Sequence, residues 1–154
     1  MKILFIGDSI TDAGRNTERG SLESIGQGYV LMIGGRLGYE SPQKYEIINR
    51  GISGDRIVDI YARIKKDCWN ESPDVISIFA GVNDVIHEPA LKNGVEAERF
   101  ERVYRMLLED TRAVLPKAKI IIVSPFIFEC ELADNTYLKK EVMIRAEIAE
   151  RLGH

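Results

Sequence analysis

Four short apolar runs read as strands, several of them apolar at consecutive positions rather than at alternate ones: KILFI (2–6), YEIINRG (45–51), DVISIFA (74–80) and KIIIVS (119–124). A strand with one wet face alternates apolar and polar residues. A strand covered on both faces has no need to, and such runs belong to parallel sheets buried between layers. Parallel neighbours need long crossovers, usually helices. The intervening segments carry that signal. Residues 28–38 predict a glycine-weakened helix. Ile57, Ile60, Tyr61, Ile64 and Cys68 recur at helical spacing, with Asp55 as the expected N-cap. Phe100, Tyr104, Leu107 and Leu108 head a second stripe that Pro116 closes, and residues 136–152 predict a last helix before Gly153. The order β-α-β-α-β-α-β-α predicts an α/β fold: a doubly wound parallel sheet in three layers with right-handed crossovers.

The length of 154 residues and the 45% hydrophobic content suit one domain, read as residues 1–154. A formal net charge of −3, with basic residues scattered, argues against nucleic acid or an anionic membrane as partner. Cys68 and Cys130 stand apart from any CxxC or Cys/His cluster, so reduced thiols are expected. The first apolar run stops at Gly7-Asp8, short of the ~7–15 residues of a secretory signal core. No stretch approaches the ~20 apolar residues of a membrane span. The expectation is a cytoplasmic domain.

In such sheets, ligands bind beyond the carboxyl ends of the strands. Gly7-Asp8-Ser9 follows the first run, Gly51-Ile52-Ser53-Gly54-Asp55 the second, Gly81-Val82-Asn83-Asp84 the third and Ser124-Pro125 the fourth. These residue types dominate turns anyway. Three such turns converging on one edge carry the functional argument. Ser9 offers a hydroxyl nucleophile for acyl transfer. The backbone N–H groups of Ser9 and Gly54, with the Asn83 side-chain amide, are candidate donors to a developing oxyanion. An asparagine suits that task because its amide donates without charge and does not compete as a base.

GDSIT (7–11), ISGD (52–55) and GVND (81–84) resemble the first three sequence blocks of the SGNH hydrolases, the GDSL lipase/esterase family, in order and on matching elements. The resemblance runs from Met1 to about Gly153. It implies a flavodoxin-like fold with sheet order 2-1-3-4-5 and the hydrolysis of esters. Carbohydrate deacetylation, lysophospholipid cleavage and thioester cleavage all belong to that range. It implies no metal and no organic cofactor. It places the nucleophile on Ser9, the oxyanion-hole glycine on Gly54 and the oxyanion-hole asparagine on Asn83. Asp8 becomes the acid that sets the turn, and it is counted with His87 among the substrate-side residues.

The family's fourth block, Asp-x-x-His, supplies the general base and the acid that orients it. No such block stands near the C-terminus of this sequence. The histidines are His87 and His154, and Arg151 stands where an acid would precede His154. His87 is expected on a loop beside the cleft. The chain is therefore expected to be a C-terminally truncated hydrolase without a fifth strand and final helix, inactive or nearly so. Its run Ile120–Val123 would be a bare sheet edge, or one covered by strand exchange in a homo-oligomer. Two other readings remain. One is a non-catalytic pseudo-hydrolase that keeps the cleft as a binding module. The other is a phosphate binder, against which the chain has neither Gly-x-Gly-x-x-Gly nor Gly-Lys-Ser/Thr. Loops 12–26 and 85–95 are polar, with charges of both signs. They point to a small ester or an acetylated carbohydrate as substrate, with Arg15, Glu18 and Arg19 as candidate sugar contacts.

Overall fold

A computed structural model describes residues 1–17, 22–128 and 136–153. Strands β1 (Lys2–Gly7), β2 (Glu46–Gly51), β3 (Val75–Phe79) and β4 (Lys119–Val123) form one sheet in the order β2-β1-β3-β4. All three pairings are parallel, with Leu4 between Ile48 and Ile76, and Ile78 beside Ile122. Among the described residues β4 pairs on one side only. The helices are α1 (Ser9–Asp12), α2 (Tyr29–Glu40), α3 (Ile57–Asp67), α4 (Val82–Leu91), α5 (Ala97–Val114) and α6 (Thr136–Gly153). The fold is the expected doubly wound α/β sheet.

The strand period of two sorts each apolar run between two layers. Leu4, Ile6, Ile76 and Ile78 are fully buried and share one core with Ile57, Ile60, Tyr104 and Leu107 from α3 and α5, and with Ile148 from α6. Ile3, Phe5, Val75, Phe79 and Ile121 point the other way. With Tyr29, Ile33 and Leu37 of α2 they line an apolar groove of about 520 Å³. Cys68 belongs to the core, and burial pushes its thiol up to about 12, which leaves it inert as a nucleophile. Cys130 lies outside the described residues. Among the described residues, no helix is long and apolar enough to cross a membrane.

Two expectations need correction. Helix α3 is capped by Arg56, whose N–H donates to Asp59 at 3.0 Å; Asp55 instead pairs with Arg63 at 2.6 Å. The segment read as loop 85–95 is largely helix α4. Pro89 looks like a breaker, but it falls in the last turn, shortly before the chain leaves the helix at Lys92 with φ +52°.

Candidate active site

Because the strands are parallel, their carboxyl ends share one edge, and the three turns meet there. Burial comes first at Asp8, which is 1% exposed. Its carboxylate accepts from the Ile10 N–H at 3.0 Å and caps α1. Desolvation pushes its acid up, and the nearby Asp55 carboxylate adds to the shift. A side chain so enclosed is placed to shape the turn. Ser9 opens α1 and is exposed. Its hydroxyl has no hydrogen-bond partner among the described residues, so it is presented to solvent.

The second turn is fastened to the first. Ile52 N–H donates to the Gly7 carbonyl at 3.0 Å, and Ser53 gives its N–H and its hydroxyl to Asp12 Oδ2 at 3.1 and 2.8 Å. From α3, Arg63 pairs with Asp55 and donates to the Gly7 carbonyl at 3.3 Å. A Cβ on Gly51 would lie 2.6 Å from the Thr11 carbonyl carbon, so only glycine lets α1 approach this closely. Gly54 has φ +89° and open space where a Cβ would project. Glycine is required there for the backbone angle, and its N–H has no hydrogen-bond partner among the described residues.

The third turn closes on the second. Asn83, on the first turn of α4, donates one amide hydrogen to the Asp55 carbonyl at 3.0 Å, and the other has no partner among the described residues. Its neighbour Asp84 is 1% exposed and accepts from the Ile57 N–H with both carboxylate oxygens, at 3.1 and 3.2 Å. Burial pushes Asp84 up to about 7, against the pull of Arg145 and Arg56. His87 lies one helical turn beyond Asn83 on α4, not on a loop. Burial opposes ionisation of Asp59, but Arg56 and the His87 imidazole outweigh it and hold that acid below its usual range. No hydrogen bond joins His87 to Ser9 among the described residues.

Ser9, Gly54 and Asn83 are thus brought to one edge by a continuous chain of hydrogen bonds. Arg15 is not free for a sugar: its side chain is 8% exposed, pairs with Asp12 and donates to the Gly51 carbonyl at 2.7 Å. Glu18, Arg19 and His154 lie outside the described residues. The sequence reading passed over Asp12, Asn49, Arg63 and Asp84. Asn49 is 2% exposed, donates to the Thr11 and Ile25 carbonyls at 2.6 and 2.9 Å, and accepts from the Gly51 N–H at 2.8 Å. A short amide side chain directly after the apolar pair Ile47-Ile48 was its available signal.

The sequence matches the GDSL-like lipase/acylhydrolase family over residues 5–153. The chain belongs to that family. An acetylxylan esterase of Geobacillus stearothermophilus is 37% identical over 135 residues, covering 83% of this chain. The chain spans 61% of that relative's length. A solved structure of a GDSL-like lipase from Parabacteroides merdae superposes with a TM-score of 0.92 at 33% identity, over 98% of this chain and 72% of the other. The solved acetylxylan esterase of Geobacillus stearothermophilus gives a TM-score of 0.86 at 33% identity, over 98% of this chain and 70% of the other. Catalytic mutants of that esterase replace an aspartate in one structure and a serine in another. This GDSL-family chain therefore carries the fold of its solved relatives.

Proposed function

We propose that this domain removes acetyl groups from an acetylated carbohydrate, with Ser9 as nucleophile. The observation that carries the reading is the exposed Ser9 hydroxyl, without a partner among the described residues and tied through Asp12 and Ser53 to a turn whose Gly54 N–H is likewise unpartnered there, beside an Asn83 amide that spends one hydrogen on the Asp55 carbonyl. Ser9 Oγ attacks the acetyl carbonyl carbon and forms a bond to it as the carbonyl electrons move onto oxygen. The Gly54 and Ser9 N–H groups and the free Asn83 hydrogen donate to that oxyanion; one such donor is worth ~2.7–4 kcal/mol in the transition state. The carbonyl re-forms, the sugar oxygen leaves and takes a proton, and water then releases acetate from Ser9. The attack also needs a proton acceptor, and among the described residues no general base is hydrogen-bonded to the Ser9 hydroxyl. Without it, general base help of ~10²–10⁴-fold is missing, and turnover by these 154 residues is expected to be slow.

The acetyl-xylooligosaccharide esterase among the similar structures supports a short acyl group on a sugar. The test is release of acetate from acetylated xylo-oligosaccharides and of nitrophenol from its acetate ester. A slow activity lost on Ser9→Ala supports the reading; equal rates in the two proteins overturn it. The binding-module reading draws on one observation, that no histidine contacts Ser9 among the described residues. It predicts that the chain retains acetylated oligosaccharide with no Ser9-dependent release of acetate.

A further inference from the structure

Asn83 and Asp84 are consecutive on α4, and they grip two points only two residues apart on the segment that leads into α3. Asn83 donates to the Asp55 carbonyl at 3.0 Å, and Asp84 accepts from the Ile57 N–H at 3.1 and 3.2 Å. Gly54 immediately precedes this gripped segment. The Ile57 N–H is the first of α3 and has no partner within its own helix, so Asp84 satisfies a donor that would otherwise be buried and unpaired. An apolar residue here would leave that donor stranded. A buried carboxylate is an expensive way to satisfy it, since desolvation opposes its charge. Resting on the esterase reading above, we propose that Asp84 is a positioning residue, clamping α3 to α4 so that the Gly54 N–H and the Asn83 amide hold a fixed separation as oxyanion donors.

The geometry sets the carboxylate apart from its amide analogue. Both oxygens lie within 3.2 Å of the same nitrogen. In an asparagine one of those positions becomes an NH₂ group facing an N–H, so the clamp loosens while the side-chain volume stays the same. The charges around Asp84 come from several elements. Arg56 caps α3, Arg145 reaches in from α6, and the Tyr104 hydroxyl of α5 lies within its field. Glu88 on its own helix, Glu96 just before α5 and Glu141 on α6 line the neighbouring cavity with it. The acid's upward shift to about 7 puts its ionisation in an accessible pH range.

The experiment is a pH titration of the full 154-residue chain by ¹H–¹⁵N NMR, from about pH 5 to pH 9, for wild type and Asp84→Asn. His87→Gln serves as a control, because that imidazole shares α4. The clamp requires the Ile57 N–H, Gly54 N–H and Asn83 side-chain amide resonances to move with one midpoint in wild type and in His87→Gln. In Asp84→Asn the Gly54 and Asn83 resonances stop titrating, while core amides such as that of Leu107 keep their exchange protection. Resonances of Gly54 and Asn83 that never respond, or that still titrate in Asp84→Asn, overturn the proposal. Kinetics on nitrophenyl acetate add a second readout: kcat falls at least threefold in Asp84→Asn with KM within twofold, and an unchanged kcat overturns the clamp. A wild type with no Ser9-dependent turnover sinks the esterase reading instead, and the resonances alone then decide the clamp.

Discussion

On one face of the sheet Leu4, Ile6, Ile76 and Ile78 are fully buried beneath α3, α5 and α6, while on the other face Ile121 of β4 stands 53% exposed beside an apolar groove. The same strands supply both faces, so the difference comes from what is laid over them. It maps onto the site. Gly54 leads into α3, which belongs to the covered face, and Asn83 begins α4, which is joined to α3 through Ile57. Ser9 begins α1, whose next residue, Ile10, lines the open groove. Gly54 and Asn83, two of the three proposed oxyanion donors, therefore rest on the thicker side of the molecule, and Ser9, the proposed nucleophile, on the thinner side. Asp12–Ser53 and Arg63–Gly7 are the ties between them. Preorganised donors need rigid support, and the fold places that support under Gly54 and Asn83.

The largest expected effect breaks the covered face. Phe100 of α5 is fully buried and meets Tyr104 edge-to-face, with ring centroids 5.5 Å apart. Phe100→Ala removes that contact and leaves a cavity, at a cost of ~3–5 kcal/mol. Urea unfolding at constant slope measures it. A cost below ~1 kcal/mol would show that the α5 layer is not what secures the sheet.

This asymmetry was only partly legible in the amino-acid sequence. Consecutive apolar residues in KILFI and DVISIFA reveal strands apolar on both faces: Leu4, Ile6, Ile76 and Ile78 are buried on one, and Phe5 and Phe79 are buried at the floor of the groove on the other. The run KIIIV looks the same, yet Ile121 is exposed: periodicity reports what a strand asks for, not what lies over it. Ser9, Gly54 and Asn83 were legible because each follows directly from a strand end. Asp84 was in view beside Asn83 but silent, since its role depends on Ile57, 27 residues away, and on Arg145 reaching in from α6. Helix α4 was hidden by Pro89, whose placement in a last turn shows only once the helix end is seen. Asp55 was misread as a cap because Arg63 competes for it from two turns along α3.

A smaller effect tests the junction between α3 and α4. Asp84 is pushed from 3.8 in the unfolded chain up to about 7 in the fold, chiefly by burial. Between those values the folded state holds a proton that the unfolded chain has released, so this group makes stability fall as pH rises from 3.8 to about 7. Above about 7 both states are ionised and the penalty is constant. Three units correspond to at most ~4 kcal/mol, and relaxation of the site makes the realised value smaller. Asp84→Asn removes this component of the slope, whatever constant offset the amide introduces. Unfolding free energies at pH 4 and pH 8 for both proteins measure it, and parallel pH profiles would contradict a buried, proton-holding Asp84.

The smallest effect sharpens the contrast at two adjacent residues of β4. Ile121 and Ile122 have the same side chain and point to opposite faces. Ile122 packs against the covered core, whereas Ile121 borders the groove. On an outer strand a lysine at an exposed position is a common natural substitution. Ile121→Lys should therefore change stability by no more than ~0.5 kcal/mol, within the range of an ordinary surface change. It should also lower binding of the hydrophobic dye ANS, because it removes apolar area from the groove rim. Ile122→Lys forces a charge against α6 and the buried cluster, at a cost of several times as much. Equal losses at the two positions would mean that both faces of β4 are packed alike. The covered-and-open description of the sheet would then fail at the strand where it is most exposed to test.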